Sequence, residues 1–348
     1  MRQLDSQMEG WHHRRYETHR IGSGEQRNVN ATTSGTVDLT GKVSMVTGAT
    51  GGMGRIIATE LARLGSTVVV VSRDNAGGEQ LRREIAAEVG KDRVEVLAGD
   101  LSSQPDLRRI AEQFTARHHG LHLLINNAGA HYRRRSVNAD EIEMHVAVDY
   151  LAGLSLSVLL LDQLRAGAPS RVVNVVSDSM NDARMSTRRG KPRPVTLDTA
   201  ELDDLRTVNG PAGFAPFEAY ARAKLLTTMT GYLLADQLRE TGVTVNAVHP
   251  GIVATHIVDD IVPPLMKPFL GLIKRSLLTP AQGAAATLRL ATAPELANVT
   301  GRYFMLDTEH RSPEISYDRD LQQRVWTASQ AYIPAPRTQN TPPQTKPL

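Results

Sequence analysis

The chain has 348 residues, 41% of them apolar and 22% charged, with a formal net charge of +3 and no cysteine. That length can bury a large core in one domain or two small ones. The lack of cysteine excludes disulfides, thiolate metal sites and a cysteine nucleophile, which suits a reducing, cytoplasmic setting. Seven lysines stand against thirty-three arginines, scattered among the acids rather than gathered in a patch, which argues against a nucleic-acid partner.

In chain order, residues 1–38 include His12, His13, Arg14 and Arg15 and lack the apolar segment of a secretory signal. They read as a flexible extension, and the folded domain is expected over 39–333. Its first apolar run, Val43 to Val46, leads into "VTGATGGMGR", with Gly48, Gly51, Gly52 and Gly54 ahead of a helical pattern at Ile57, Leu61 and Leu64. A strand, a glycine-rich turn and a helix start let backbone N–H groups approach a pyrophosphate at the positive end of the helix. A tight turn with close helix packing is the plainer reading of the same glycines.

Further short, β-branched runs follow at Val68 to Val71, Val94 to Leu97, Leu121 to Ile125, Val172 to Val176 and Val243 to Val248. Continuous apolar runs of this length suit strands buried on both faces. With helical patterns between them they predict an α/β fold: a doubly wound parallel sheet (Rossmann-type) in a single domain. Arg133 to Arg135 read as a solvated loop. "LAGLSLSVLLLDQL", Leu151 to Leu164, is too short to cross a bilayer comfortably and suits a buried helix. Residues 178–216 carry "RRGKPRP" and "LDTAELDDL" and read as a solvated insertion at the rim of a site. Residues 256–279, rich in Leu, Ile, Met and Pro, leave three roles open: a lid over an apolar substrate, a packing helix, or a membrane-surface patch using Lys267, Lys274 and Arg275. Residues 334–348 are Pro/Thr/Gln-rich and read as a disordered tail. None of the eleven histidines shows metal-ligand spacing; no metal is expected, and His249 is assigned to ordering the loop before Pro250.

The pattern Thr47-Gly48-x-x-x-Gly52-x-Gly54, "NNAG" at Asn126 to Gly129 and "YARAK" at Tyr220 to Lys224 resembles the short-chain dehydrogenase/reductase family over about 39–333. Within it the chain is similar to the retinol-dehydrogenase-like and carbonyl-reductase-like members, through "VSRD", "SRVVNVVS", "HPGIVAT" and "GRYF". A lone Tyr-x-x-x-Lys decides little, with about 0.16 expected by chance in this composition. The order of the motifs along the chain decides more.

The resemblance implies a hydride-transferring oxidoreductase with Ser177, Tyr220 and Lys224 as catalytic residues, and Asp149 where the family carries an asparagine. Tyr220 and Lys224 share a helix face, one turn apart. A free phenol titrates near pH 10, and a neighbouring ammonium can lower it, making Tyr220 the acid/base. Ser177 would orient the substrate oxygen. Aspartate at 149 could keep the family's backbone role there, yet hold the ammonium and oppose the phenolate. Gly48, Thr50, Gly51, Gly52, Met53 and Gly54 would hold the pyrophosphate. Asp100 and Leu101 would flank adenine, and Asn127, Ala128 and Gly129 the adjoining ribose. Tyr220 and Lys224 would meet the nicotinamide ribose, with Pro250, Gly251, Val253 and Thr255 on the nicotinamide side. Ser72 and Arg73 end the second strand where NAD-preferring relatives carry an acid; Arg73, with Arg55, favours NADP over NAD. An apolar carbonyl or alcohol is the expected substrate. Family analogy implies a homodimer or homotetramer through helices bearing Leu151 to Leu164 and Tyr220 to Leu238. The alternative is a catalytically weakened dinucleotide-binding regulator or scaffold.

Overall fold

The six anticipated strands form, and their apolar side chains lie between two layers of helix. The computed structural model describes residues 37–333 except 185–190, 263–266, 268 and 269; the expectations for the extension before residue 37 and for the tail lie outside the described residues. The strands are β1 (Val43–Thr47), β2 (Thr67–Ser72), β3 (Val94–Ala98), β4 (Leu123–Asn126), β5 (Ser170–Val175) and β6 (Val243–His249). All pair in parallel, in the order β3-β2-β1-β4-β5-β6. Met45 of β1 sits between Val69 of β2 and Leu124 of β4. The chain therefore builds outward from β1 in one direction, then restarts at β4 in the other. That reversal opens a crevice at the carboxyl ends of β1 and β4.

Two strands escaped the sequence reading. β7 (Tyr303–Met305) extends the sheet in parallel and β8 (Thr308–His310) closes its edge antiparallel. At three residues each they are too short to show a period.

One face is covered by α1 (Gly52–Arg63), α2 (Asn75–Val89) and a later helix, Pro280–Thr292, through Ile57, Leu61, Leu81, Ile85 and Leu290. The other is covered by α3 (Gln104–Thr115) and by later helices, through Leu107, Ile110, Phe114, Leu156 and Leu234. Caps set the starts: Asp74 accepts the Gly77 N–H at 2.7 Å ahead of α2, and Ser103 opens α3.

The single helix expected over Leu151 to Leu164 is divided. A wide, π-type turn (Val146–Leu151) runs into α4 (Ala152–Leu159), and Leu160 breaks the chain into α5 (Leu161–Ala166). Such turns displace the backbone where a site needs it, and Asp149 lies in this one. The long α6 (Pro216–Gln237) carries Tyr220 and Lys224.

The expected solvated insertion exposes Lys191 to Pro194, Asp198 and Asp203 but also buries part of its length. Val195, Leu202, Leu205 and Val208 are buried against Met180 and against Leu225 and Met229 of α6. Among residues 256–279 the structure describes α7 (His256–Ile261) and α8 (Leu270–Arg275), followed by α9 (Pro280–Thr292). Lys274 pairs with Asp259 at 2.6 Å rather than facing outward for a headgroup. No described helix is long and apolar enough to cross a membrane. The final helix, α10 (Arg319–Gln330), clasps the insertion: Arg324 donates to Asp203 at 2.9 Å and to the Thr199 carbonyl at 2.6 Å.

Phe114 is wholly buried where α3 meets the sheet. Phe114→Ala should lower the unfolding free energy by about 3–5 kcal/mol through lost burial and the cavity left behind, measured as the shift in urea-denaturation midpoint.

Candidate active site

At the crevice, β1 ends on Thr47, whose Oγ1 accepts the N–H groups of Asn127 and Ala128 at 3.1 and 3.0 Å. Asn127 Nδ2 donates back to the carbonyls of Thr47 and Gly48 at 2.9 and 3.2 Å. Gly48 has φ +64°, and a Cβ there would sit 2.8 Å from the Ala128 Cα. A Cβ on Gly54 would run into the Gly48 carbonyl. The turn is thus packed so tightly that only glycine lets α1 begin there. Thr50 and Gly51 are exposed at its tip.

The other predicted cofactor residues lie along the same edge. Met53 and Val253 turn their side chains toward Gly283 of α9. Thr255 Cγ2 lies 3.5 Å from where a Gly52 Cβ would be, so the loop after Pro250 and Gly251 meets the glycine turn. Asp100 turns its carboxylate to the N–H and hydroxyl of Ser102, at 2.8 and 2.9 Å, beside Leu101. Ser72 donates to the Asp74 carbonyl at 2.8 Å, and Arg73 is exposed. Arg55 departs from expectation: it pairs with Glu84 and Glu88 of α2 at 3.4 and 3.5 Å. Arg73, in contrast, has an exposed side chain. A glycine cradle at a helix N-terminus fits a dinucleotide.

Ser177, two residues beyond β5, hydrogen-bonds the Tyr220 hydroxyl. Lys224 is buried, its Nζ 5.6 Å from the Tyr220 ring centroid. It donates to the Val175 carbonyl at 3.2 Å and lies 3.5 Å from Asp149 Oδ1. Asp149 Oδ1 also accepts the Ala130 N–H at 2.9 Å beside Gly129, and its carbonyl accepts from Thr227 at 3.0 Å. The four predicted catalytic residues are brought together.

Their electrostatics depart from the expectation. Burial pushes the Tyr220 phenol above its usual range, the Asp149 charge pushes it further, and the Ser177 hydrogen bond only partly opposes them. Burial likewise raises the Asp149 carboxyl against the pull of Lys224, His145 and the Ala130 N–H. The ammonium that should favour the phenolate is itself held by a carboxylate and a carbonyl.

A second polar group beside Tyr220 was missed. His145 lies against Glu143 at 2.7 Å, and its other nitrogen accepts the Tyr132 N–H at 3.0 Å. Asn209, from the insertion, donates to Glu143 at 3.0 Å, while its carbonyl accepts from Arg135 at 2.9 Å. Burial alone would raise Glu143, but His145 and Asn209 outweigh it and hold the carboxyl below its ordinary range. Arg133 donates to the carbonyls of Asp260 and Val262, both at 2.6 Å. Arg133 and Arg134 are exposed, as a solvated loop would have them, while Arg133 and the half-buried Arg135 also tie the loop to neighbouring segments. His131 stacks its edge toward Tyr220, ring centroids 6.2 Å apart. The sequence signal was polar residues on an irregular stretch, without periodicity to place them.

Comparison with known proteins gives the family and the fold. The family profile described as short chain dehydrogenase matches residues 42–187. The mouse (Mus musculus) polyprenol dehydrogenase is 37% identical over 82% of this chain and 82% of its own length. Retinol dehydrogenase 12 of Bos taurus is 37% identical over 77% of this chain and 78% of its own. Among solved structures, the L-sorbose reductase of Gluconobacter frateurii, complexed with NADPH and L-sorbose, superposes with TM-score 0.59 at 19% identity, covering 78% of this chain and 97% of that one. A 7α-hydroxysteroid dehydrogenase complexed with NADH matches with TM-score 0.60 at 20% identity, covering 79% and 96%. At such identities the structures show the fold.

Burial and the neighbouring His145 lower the His131 pKa from 6.5 to about 4, with Asp260 opposing and Arg133 assisting. As pH falls below about 6.5 the unfolded chain takes up a proton that the folded protein refuses until about pH 4, so this residue costs stability across that window and none above it. His131→Gln should therefore lose less of its thermal midpoint than the parent between about pH 7 and pH 4.5; equal losses in a scanning-calorimetry series would refute this.

Proposed function

The chain belongs to the short-chain dehydrogenase/reductase family, with a retinol-dehydrogenase-like sequence, and on that premise we propose that it moves a hydride between NADP and the carbonyl or alcohol carbon of an apolar molecule. The observation that carries this is the meeting of Ser177, Tyr220 and Lys224 beside the glycine cradle, at the carboxyl ends of the central strands.

The nicotinamide, when bound, supplies or accepts the hydride; the remaining work belongs to this chain. Ser177 hydrogen-bonds the substrate oxygen and brings it to the phenol. Tyr220 gives that oxygen a proton in reduction and takes it back in oxidation. Lys224, held toward Tyr220, binds ribose hydroxyls and contributes positive charge. Arg73 faces the 2′-phosphate that distinguishes NADP. Retinol and polyprenol, the alcohols named for the relatives, are long apolar chains ending in a hydroxyl. They support an isoprenoid-type alcohol or aldehyde as the substrate class. The second reading, a weakened dinucleotide-binding regulator, draws on the Asp149–Lys224 pair.

A screen of NADPH oxidation across apolar aldehydes and ketones should find turnover, and Tyr220→Phe should reduce it at least about 100-fold. A screen blank for both proteins favours the regulator. Arg73→Glu should raise KM for NADP about tenfold or more while sparing that for NAD, from the loss of one charge-assisted contact. Equal effects on the two cofactors would overturn the NADP assignment.

A further inference from the structure

Lys224 Nζ stands with Asp149 Oδ1 3.5 Å away and the Val175 carbonyl 3.2 Å away, all three beside the Tyr220 ring. An ammonium alone at that place favours a phenolate. With a carboxylate against it the pair is closer to a dipole, whose field at the phenol is much weaker.

The carboxylate is itself only half satisfied. Oδ2 is buried without a hydrogen-bond partner. Asp149 lines a small cavity of about 10 Å³ between the π-type turn and the ends of β1, β4 and β5. Asn126 lines the same cavity, and its Oδ1 is likewise buried and unpartnered. The amide is not free to turn: Asn126 Nδ2 already donates to Asn174 Oδ1 at 2.9 Å, and to the Gly153 carbonyl and Ser157 Oγ at 3.3 Å. Two acceptors therefore share one space about the size of a single water, a molecule with two donors.

We propose that one water fills this cavity, donating to Asp149 Oδ2 and to Asn126 Oδ1, and that the hydrated Asp149 carboxylate sets the pH range of Tyr220 by offsetting the charge of Lys224. Asp149 is a positioning residue, acting through Lys224 and touching no reacting atom. The idea rests on the reading of Tyr220 as acid/base given above. With asparagine at 149 the phenol would ionise at lower pH; with aspartate, removal of an alcohol proton is confined to more alkaline solution.

The other groups around Tyr220 do not supply this effect. Lys224 is on its own helix and Ser177 is neutral. His131, from the loop after β4, is uncharged above about pH 4. His145, from the same loop, lies against Glu143, whose charge it shares with Asn209. Asp178, beside Ser177, accepts from Asn181 at 2.9 Å. Among the described residues Asp149 is the acid within ion-pair range of Lys224.

The test follows kcat/KM against pH for NADP-linked oxidation of an isoprenoid alcohol by the parent and by Asp149→Asn. It is paired with infrared spectra of both proteins without cofactor. The variant should reach half its limiting rate at least about one pH unit lower, roughly a tenfold gain on the rising limb. The parent should show no protonated-carboxyl stretch at neutral pH. Superimposable profiles overturn the tuning role. A protonated-carboxyl band in the parent at neutral pH overturns the hydrated carboxylate, replacing it with a neutral acid that donates its own proton toward Asn126. Should the variant not fold, the parent spectrum decides by that same band. A parent that oxidises no alcohol counts against the dehydrogenase reading, while the infrared result still decides the state of Asp149.

Discussion

The hydroxyl of Thr47 ties together the two halves of this protein. By accepting the backbone N–H groups of Asn127 and Ala128 it joins the end of β1 to the end of β4, the two strands flanking the reversal of sheet order. The return bonds from Asn127 to the Thr47 and Gly48 carbonyls close the clasp. On one side lies the glycine cradle, and on the other the backbone N–H of Ala130 that orients Asp149. A parallel sheet leaves such strand ends without ladder partners, so side chains must complete their hydrogen bonds there. Binding and catalytic groups take their positions from that completion.

Behind the clasp, the catalytic residues form a chain of buried contacts. Ser177 meets Tyr220, Tyr220 packs under Lys224, and Lys224 meets Asp149. Burying a charged pair is unfavourable unless its geometry and remaining hydrogen bonds compensate. Here the Val175 carbonyl and the Ala130 N–H serve that end. The second group, Glu143 with His145 and Asn209, does the same for the opposite wall. It couples the insertion to the loop after β4 and to α6, since Asn209 also accepts from Arg222 at 3.2 Å. The wall of the cleft is thus held by polar bonds rather than by apolar packing alone.

The insertion shows where composition misleads. Its arginines, prolines and acids suggest a solvated rim, and Arg193, Pro194 and Asp203 are indeed exposed, yet Val195, Leu202, Leu205 and Val208, set among them, are buried. Their burial comes from α6, which follows directly, and from α10, more than a hundred residues further along the chain. Arg55 and Arg133 keep contact with solvent, yet neighbouring carboxylates and carbonyls hold each of them as well.

The sequence by itself determined the six central strands, the glycine turn and the helix bearing Tyr220 and Lys224, because a period of buried residues and the steric demands of glycine are local properties. It also exposed Asp149 as a departure from the family. What only the tertiary structure decided was the short β7 and β8 at the sheet edge, the π-type turn at Asp149, the partners of the arginines and the sign of the shift on Tyr220. Each depends on the distance between groups remote along the chain and on the depth at which they are buried, and neither quantity is written in a local pattern of residues.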